Sequence, residues 1–113
     1  MRRSLLATTA LAIAGLAPTW AAAADAKIVA YYEETCGVCH GDKGQGIANL
    51  APPLKGSKFV TGASAAEIGE TITKGRAGDQ KRYKEFASPM PAQTMSDTRL
   101  AGVIAYLKGE IQK

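Results

Sequence analysis

The stretch that most constrains this chain is Cys36-Gly37-Val38-Cys39-His40. Two thiols at this spacing lie on nearly the same side of a helical turn, and an imidazole follows at once. C-x-x-C-H is the attachment signature of c-type haem. Each thiol can add to one of two neighbouring vinyl groups on a porphyrin edge, giving two thioethers. His40 can then swing under the ring and ligate iron. Two other chemistries use similar residues. A dithiol redox pair normally sits beside a βαβ pattern, and none is visible. A structural zinc site wants four ligands, whereas Cys36, Cys39 and His40 are the only Cys and His of the chain. The spacing favours haem, with a disulfide and a zinc half-site as the alternatives.

Residues 1–24 read as a secretory signal peptide rather than as fold. Arg2 and Arg3 form a positive start, an apolar run extends from Leu5 to Leu16, and small residues fill Ala21 to Ala24. The expected cleavage follows Ala24, with Ala26 as a second candidate. The apolar run is too short to favour a membrane span. Arg2-Arg3 is a weak twin-arginine feature, and the general export route is preferred because c-type haem is attached to an unfolded chain. Export would ordinarily oxidise two cysteines to a disulfide, but haem attachment consumes the same thiols. Both features thus point to a periplasmic protein.

Residues 25–113 suffice for one domain. Without Arg2 and Arg3 the formal charge of +4 falls to +2. Two haem propionates would bring it near zero, so the charge does not argue for nucleic acid.

The domain reads as all-α. Ile28, Val29, Tyr32 and Cys36 share one face of a first helix running from about Asp25 into the motif. The glycine-rich 41–46 segment lacks the Gly-Lys-Ser/Thr of a phosphate loop and suits close passage of backbone past a ring edge. Residues 47–63 are expected to be irregular, with Pro52-Pro53 blocking a helix. Ser64-Ala65-Ala66-Glu67 is a capping box. It opens a helix with Ala65, Ile68 and Ile72 on its apolar face and Gly75 past its end. From Lys74 to Lys84, five positive residues oppose only Asp79. That segment is either a docking surface for an acidic partner or a solvated loop. Ser96 caps a last helix, Asp97 favours its first turn, and Leu100, Val103, Ile104, Leu107 and Ile111 follow the helical period. So small a core is marginal unless the helices close on a large apolar body such as haem, and the apoprotein is expected to be largely disordered.

His40 leaves one axial position. Met90 lies in Ser88-Pro89-Met90-Pro91, where the prolines hold the segment extended and stiff, so a thioether can be presented at little entropic cost. Met95 instead precedes the Ser96 cap, with Leu100 placed to form a hydrophobic staple. Met90 is the expected ligand, with Met95 and a non-methionine or open site behind it.

Taken in order, the haem motif and Gly41, Pro52-x-Leu54-x-Gly56, Met90-Pro91 and Ser96-Asp97…Tyr106-Leu107 resemble the class I c-type cytochromes, specifically small bacterial periplasmic ones. The resemblance covers essentially all of residues 25–113. It implies helices wrapped around one haem, with the N- and C-terminal helices crossing. It also implies that the Pro52 carbonyl accepts a bond from the His40 nitrogen turned away from iron, and that Leu54 and Phe59 line the haem pocket. One departure stands out. Such proteins often carry Gly eight residues before the first motif Cys, where this chain has Ile28, although the aromatic four residues before it is present as Tyr32. The departure bears on the angle or spacing of the crossing against Val103 and Tyr106.

The expected function is transfer of single electrons between redox proteins, such as a donor dehydrogenase or reductase and an acceptor such as a terminal oxidase. A monomer in transient complexes and no stable membrane insertion are expected. A dedicated subunit of a periplasmic dehydrogenase complex is the alternative. A haem enzyme or gas-binding protein with open iron is disfavoured because no second His can serve as a distal acid–base group.

Overall fold

The computed structural model describes Gly15 and residues 25–113. The signal-peptide reading of residues 1–24 lies, Gly15 apart, outside the described residues. Asp25 caps α1 (Ala26–Thr35), its carboxylate accepting from the Lys27 N–H at 2.8 Å. The chain stays helical through Cys36 into α2 (Gly37–His40), which ends where Gly41 turns to a φ of +85°. That turn needs glycine. The haem motif therefore rides on the last turn of the first helical segment.

Residues 47–63 are not wholly irregular, as the prolines suggested. Ser57 caps a short helix, α3 (Lys58–Gly62), accepting from the Val60 N–H at 3.3 Å. Pro52 and Pro53 lie ahead of the cap and do not interrupt it. Lys108 ties this helix down by donating to the carbonyls of Val60 and Ala63. In α4 (Ala65–Lys74) both capping-box bonds form, Glu67 N–H to Ser64 at 3.1 Å and Ser64 N–H to Glu67 at 3.2 Å. Ile68 and Ile72 are buried as expected, but Ala65 is exposed. Gly69 takes its place, facing Leu100 and Ile104 across the helix pair.

The last helix, α5 (Asp97–Lys108), starts at the Ser96 cap. It stops short of Ile111, which is buried from a separate 3-10 turn, Glu110–Gln112. Among the described residues no strand forms. Two isolated bridges occur, Ile47 with Ala51 and Arg76 with Met90. The all-α architecture places one core between α1, α3, α4 and α5, with Tyr32 and Val103 at its centre, fully buried.

The crossing of α1 and α5 carries the departure at Ile28. Ile28 lies over Gly102, where an added Cβ would stand 2.8 Å from Ile28 Cδ1. The small residue of this crossing sits on α5, and the larger one on α1 fills the space it leaves. Tyr32 and Tyr106 complete the contact edge to face, their ring centroids 5.3 Å apart. Tyr32 also donates its hydroxyl to the Gly41 carbonyl at 2.7 Å. The core contact of α1 thus fixes the turn that ends the haem motif.

Candidate functional site

One cavity gathers every site residue expected from the sequence. Cys36, Cys39 and His40 line it from the end of the first helical segment, Pro52, Leu54 and Phe59 from the following loop and α3, and Met90 from the strap after α4. Ile68 and Ile72 of α4 and Leu107 of α5 add further apolar wall. Met95 is not among the lining residues; it packs partly buried against the core, as Leu100 does.

Each polar group at the site has a physical setting. His40 Nδ1 lies 2.8 Å from the Pro52 carbonyl oxygen, so that nitrogen carries the proton and Nε2 is the one with a free lone pair. Burial pushes the imidazole pKa below its ordinary value, and the Pro52 bond opposes this. The neutral ring is the ligand form. Both cysteines are free thiols. Burial, with Cys39 beside it, pushes the Cys36 thiol up to about 11. Among the described residues no three Cys, His, Asp or Glu side chains gather into a metal site.

Met90 is held by backbone. Its N–H and carbonyl exchange bonds with the carbonyl and N–H of Arg76, both at 2.8 Å. Gln93 N–H reaches the Ile72 carbonyl at 2.9 Å. Gly75 lies under this strap with a φ of +69°; a Cβ there would stand 2.5 Å from the Met90 carbonyl oxygen and 2.7 Å from Ala92 N. The strap can approach α4 this closely only because residue 75 is glycine.

The basic segment divides between the surface and the cavity. Lys74 pairs with Glu70 on the surface, but Arg76, Lys81 and Arg82 line the cavity. Arg76 donates to the Gly75 carbonyl at 2.7 Å and to Thr71 Oγ1 at 3.0 Å. Lys81 donates to the Phe86 carbonyl, and the Arg82 guanidinium lies 4.2 Å from the centre of the Phe59 ring. Sequence reasoning missed these three as site residues. The available signal was a cluster of cations just ahead of the Met90 loop, in a chain whose expected cofactor carries two carboxylates.

The cavity therefore fits haem c. It offers two thiols and a neutral imidazole from one turn, a thioether from another element, apolar walls, and cations for an anionic edge.

Comparisons with known proteins agree. The family described as cytochrome C oxidase, cbb3-type, subunit III matches residues 23–107. Over 66 residues the chain is 44% identical to the Cbb3-type cytochrome c oxidase subunit CcoP of Azospirillum sp. (strain B510), covering 50% of this chain and 22% of that one. The chain thus spans about a fifth of that relative's length. Cytochrome c-554(548) of Halomonas halodenitrificans is 34% identical over 76 residues, 67% of this chain and 84% of the relative. The crystal structure of c-type cytochrome XoxG from Methylobacterium extorquens AM1 shares the fold, with a TM-score of 0.56 at 24% identity over 76% of this chain and 49% of that one. With this family match over most of its length, on a helical fold around a cavity lined by the C-x-x-C-H motif, the chain belongs to the c-type cytochromes, whose cofactor is covalently bound haem c.

Proposed function

We propose that this chain is a periplasmic single-electron carrier and not an enzyme. The observation that carries the reading is that His40 and Met90, from separate elements, line one apolar cavity together with both motif thiols. Cys36 and Cys39 anchor the cofactor through two thioethers. His40 would ligate the iron through Nε2 while the Pro52 carbonyl holds Nδ1 at 2.8 Å, and Met90 would supply a thioether ligand. Haem c supplies an iron that cycles between Fe(III) and Fe(II).

The remaining residues tune and shield that centre. A neutral thioether favours Fe(II) and raises the potential relative to a harder ligand. Leu54, Phe59, Ile68, Ile72 and Leu107 exclude water, which disfavours the more charged oxidised state. Arg76, Lys81 and Arg82 offer donors to the propionate carboxylates. With His40 and Met90 both available as ligands, bound haem c would be left without a vacant site for a substrate, which supports electron exchange with redox protein partners as the function.

The purified holoprotein tests this. The expected result is six-coordinate low-spin iron in both oxidation states, a reversible one-electron titration, and a mass equal to a chain beginning at Asp25 or Lys27 plus one haem. High-spin iron that binds carbon monoxide readily would favour a gas-binding protein or enzyme instead. An intact N-terminus retaining Trp20 would sink the periplasmic assignment.

A second reading is a dedicated cytochrome unit held within a larger redox complex. It is favoured by the CcoP relative, an oxidase subunit of which this chain matches about a fifth. Among the described residues no helix is long and apolar enough to cross a membrane, so such a unit would be held by protein contacts or by a segment beyond those residues. Co-purification with a large subunit at constant stoichiometry separates it from a free shuttle.

A further inference from the structure

We infer that Gln112, in the C-terminal turn, is a positioning residue for His40. Three of the four hydrogen-bonding positions of its amide are taken by backbone from two parts of the chain far apart in sequence. Its Oε1 accepts from the Gly56 N–H at 2.7 Å, and its Nε2 donates to the carbonyls of Leu54 and Leu107, each at 2.9 Å. One amide thus joins the end of α5 to the loop that follows Pro52. Gly44 of the preceding segment stands between that loop and the neighbouring Ile111. Gly44, at a φ of +69°, packs so closely on it that a Cβ would stand 2.6 Å from Ile111 Cδ1. The Gly44 carbonyl in turn accepts from Leu54 N–H at 2.8 Å and Lys55 N–H at 2.9 Å.

The loop so held carries the acceptor for His40. Pro52 lies two residues before Leu54, and Pro52-Pro53 has little φ freedom, so a shift at Leu54 is passed to the Pro52 carbonyl rather than absorbed. Gly46 closes the knot: its N–H reaches the His40 carbonyl at 2.6 Å, and a Cβ there would stand 2.7 Å from Pro53 N. A bond to the outer nitrogen of a ligating His fixes its tautomer and orientation and raises its basicity. Gln112 therefore acts on the ligand through Leu54 and Pro52 without touching the cofactor.

The inference rests on His40 being the proximal ligand, and the experiment separates the two. Holoprotein carrying Gln112→Ala or Gln112→Glu is compared with wild type and with Ser64→Ala, which removes the α4 cap well away in sequence. Glu keeps an acceptor for Gly56 but loses the donors to Leu54 and Leu107. Exchange of the His40 Nδ1 proton is followed by NMR in the reduced state, with the potential and unfolding stability measured alongside. Both Gln112 variants should speed that exchange, by about fivefold for a loss of one hydrogen bond's worth of protection. Both should raise the potential, since a less basic imidazole favours Fe(II). Ser64→Ala should lose stability and move neither. Unchanged exchange and potential in the Gln112 variants, or an equal shift in Ser64→Ala, overturns the proposal. A His40→Gln holoprotein that keeps its low-spin spectrum would instead overturn the ligand reading, and the proposal with it.

Discussion

Cδ1 of Ile28 sits 2.8 Å from the point at which a side-chain carbon on Gly102 would begin. The pair sets how closely α1 and α5 cross. Gly102→Val should cost about 1–3 kcal/mol through overpacking. In a double-mutant cycle with Ile28→Ala, the two changes should be coupled by about 1 kcal/mol, as residues in contact are. Denaturant unfolding of the holoprotein measures both; additive losses would mean that the helices do not meet there.

Met90→Ala tests the second ligand. Any sulfur-to-iron charge-transfer band should vanish, the potential should drop, and cyanide or carbon monoxide should bind more readily. Met95→Ala should do none of these and should cost only about 1 kcal/mol or less from a weaker staple. Spectral control by Met95 would reassign the ligand.

Gly75→Ala should reach the same spectrum from outside the ligand set. The backbone alone, at a φ of +69° and a ψ of −175°, makes a side chain there cost about 1–3 kcal/mol, and the Cβ would press on the carbonyl of Met90. The sulfur band should weaken or disappear although Met90 is intact. A full-strength band in a folded variant would show that the strap can retreat without moving the thioether.

Tyr32 makes alkaline stability informative. Burial raises its pKa above the ordinary 10.0, so above pH 10 the unfolded chain loses a proton that the folded chain keeps. Stability is then lost as pH rises from 10 through the folded value. Tyr32→Phe should remove part of that slope, leaving the share from Tyr106, whose pKa burial also raises. It should also cost about 1–3 kcal/mol at neutral pH, because the buried Gly41 carbonyl loses its donor. Unfolding measured across pH 8–12 would count against this if both proteins gave the same alkaline slope.

What could be read from the sequence is what depends on near neighbours. The capping box at Ser64 and Glu67, the Ser96 cap and the C-x-x-C-H turn are all made between residues a few positions apart, and each is where expected. The short α3 escaped because five residues hold too little periodicity to rise above Pro52-Pro53 nearby. The close approach at Gly102 escaped because its partner lies on another helix, and a single glycine in an apolar pattern does not say what it faces. Arg76, Lys81 and Arg82 looked like surface charge because only the folded chain turns them toward the cavity. Met90 was singled out from its flanking prolines and does line the cavity, but the glycine that lets its strap lie down was read only as a helix end.

The paired bonds between Arg76 and Met90 close residues 77–89 at a single neck. An excursion that leaves and returns at one point can change length or sequence without moving what lies at the neck. Lys81, Arg82, Tyr83 and Phe86 within it face the cavity, so such changes would alter cover and charge over the cofactor while leaving the sulfur where it is. The cover of the cavity and the placing of Met90 are thereby set by separate, independently variable parts of the chain.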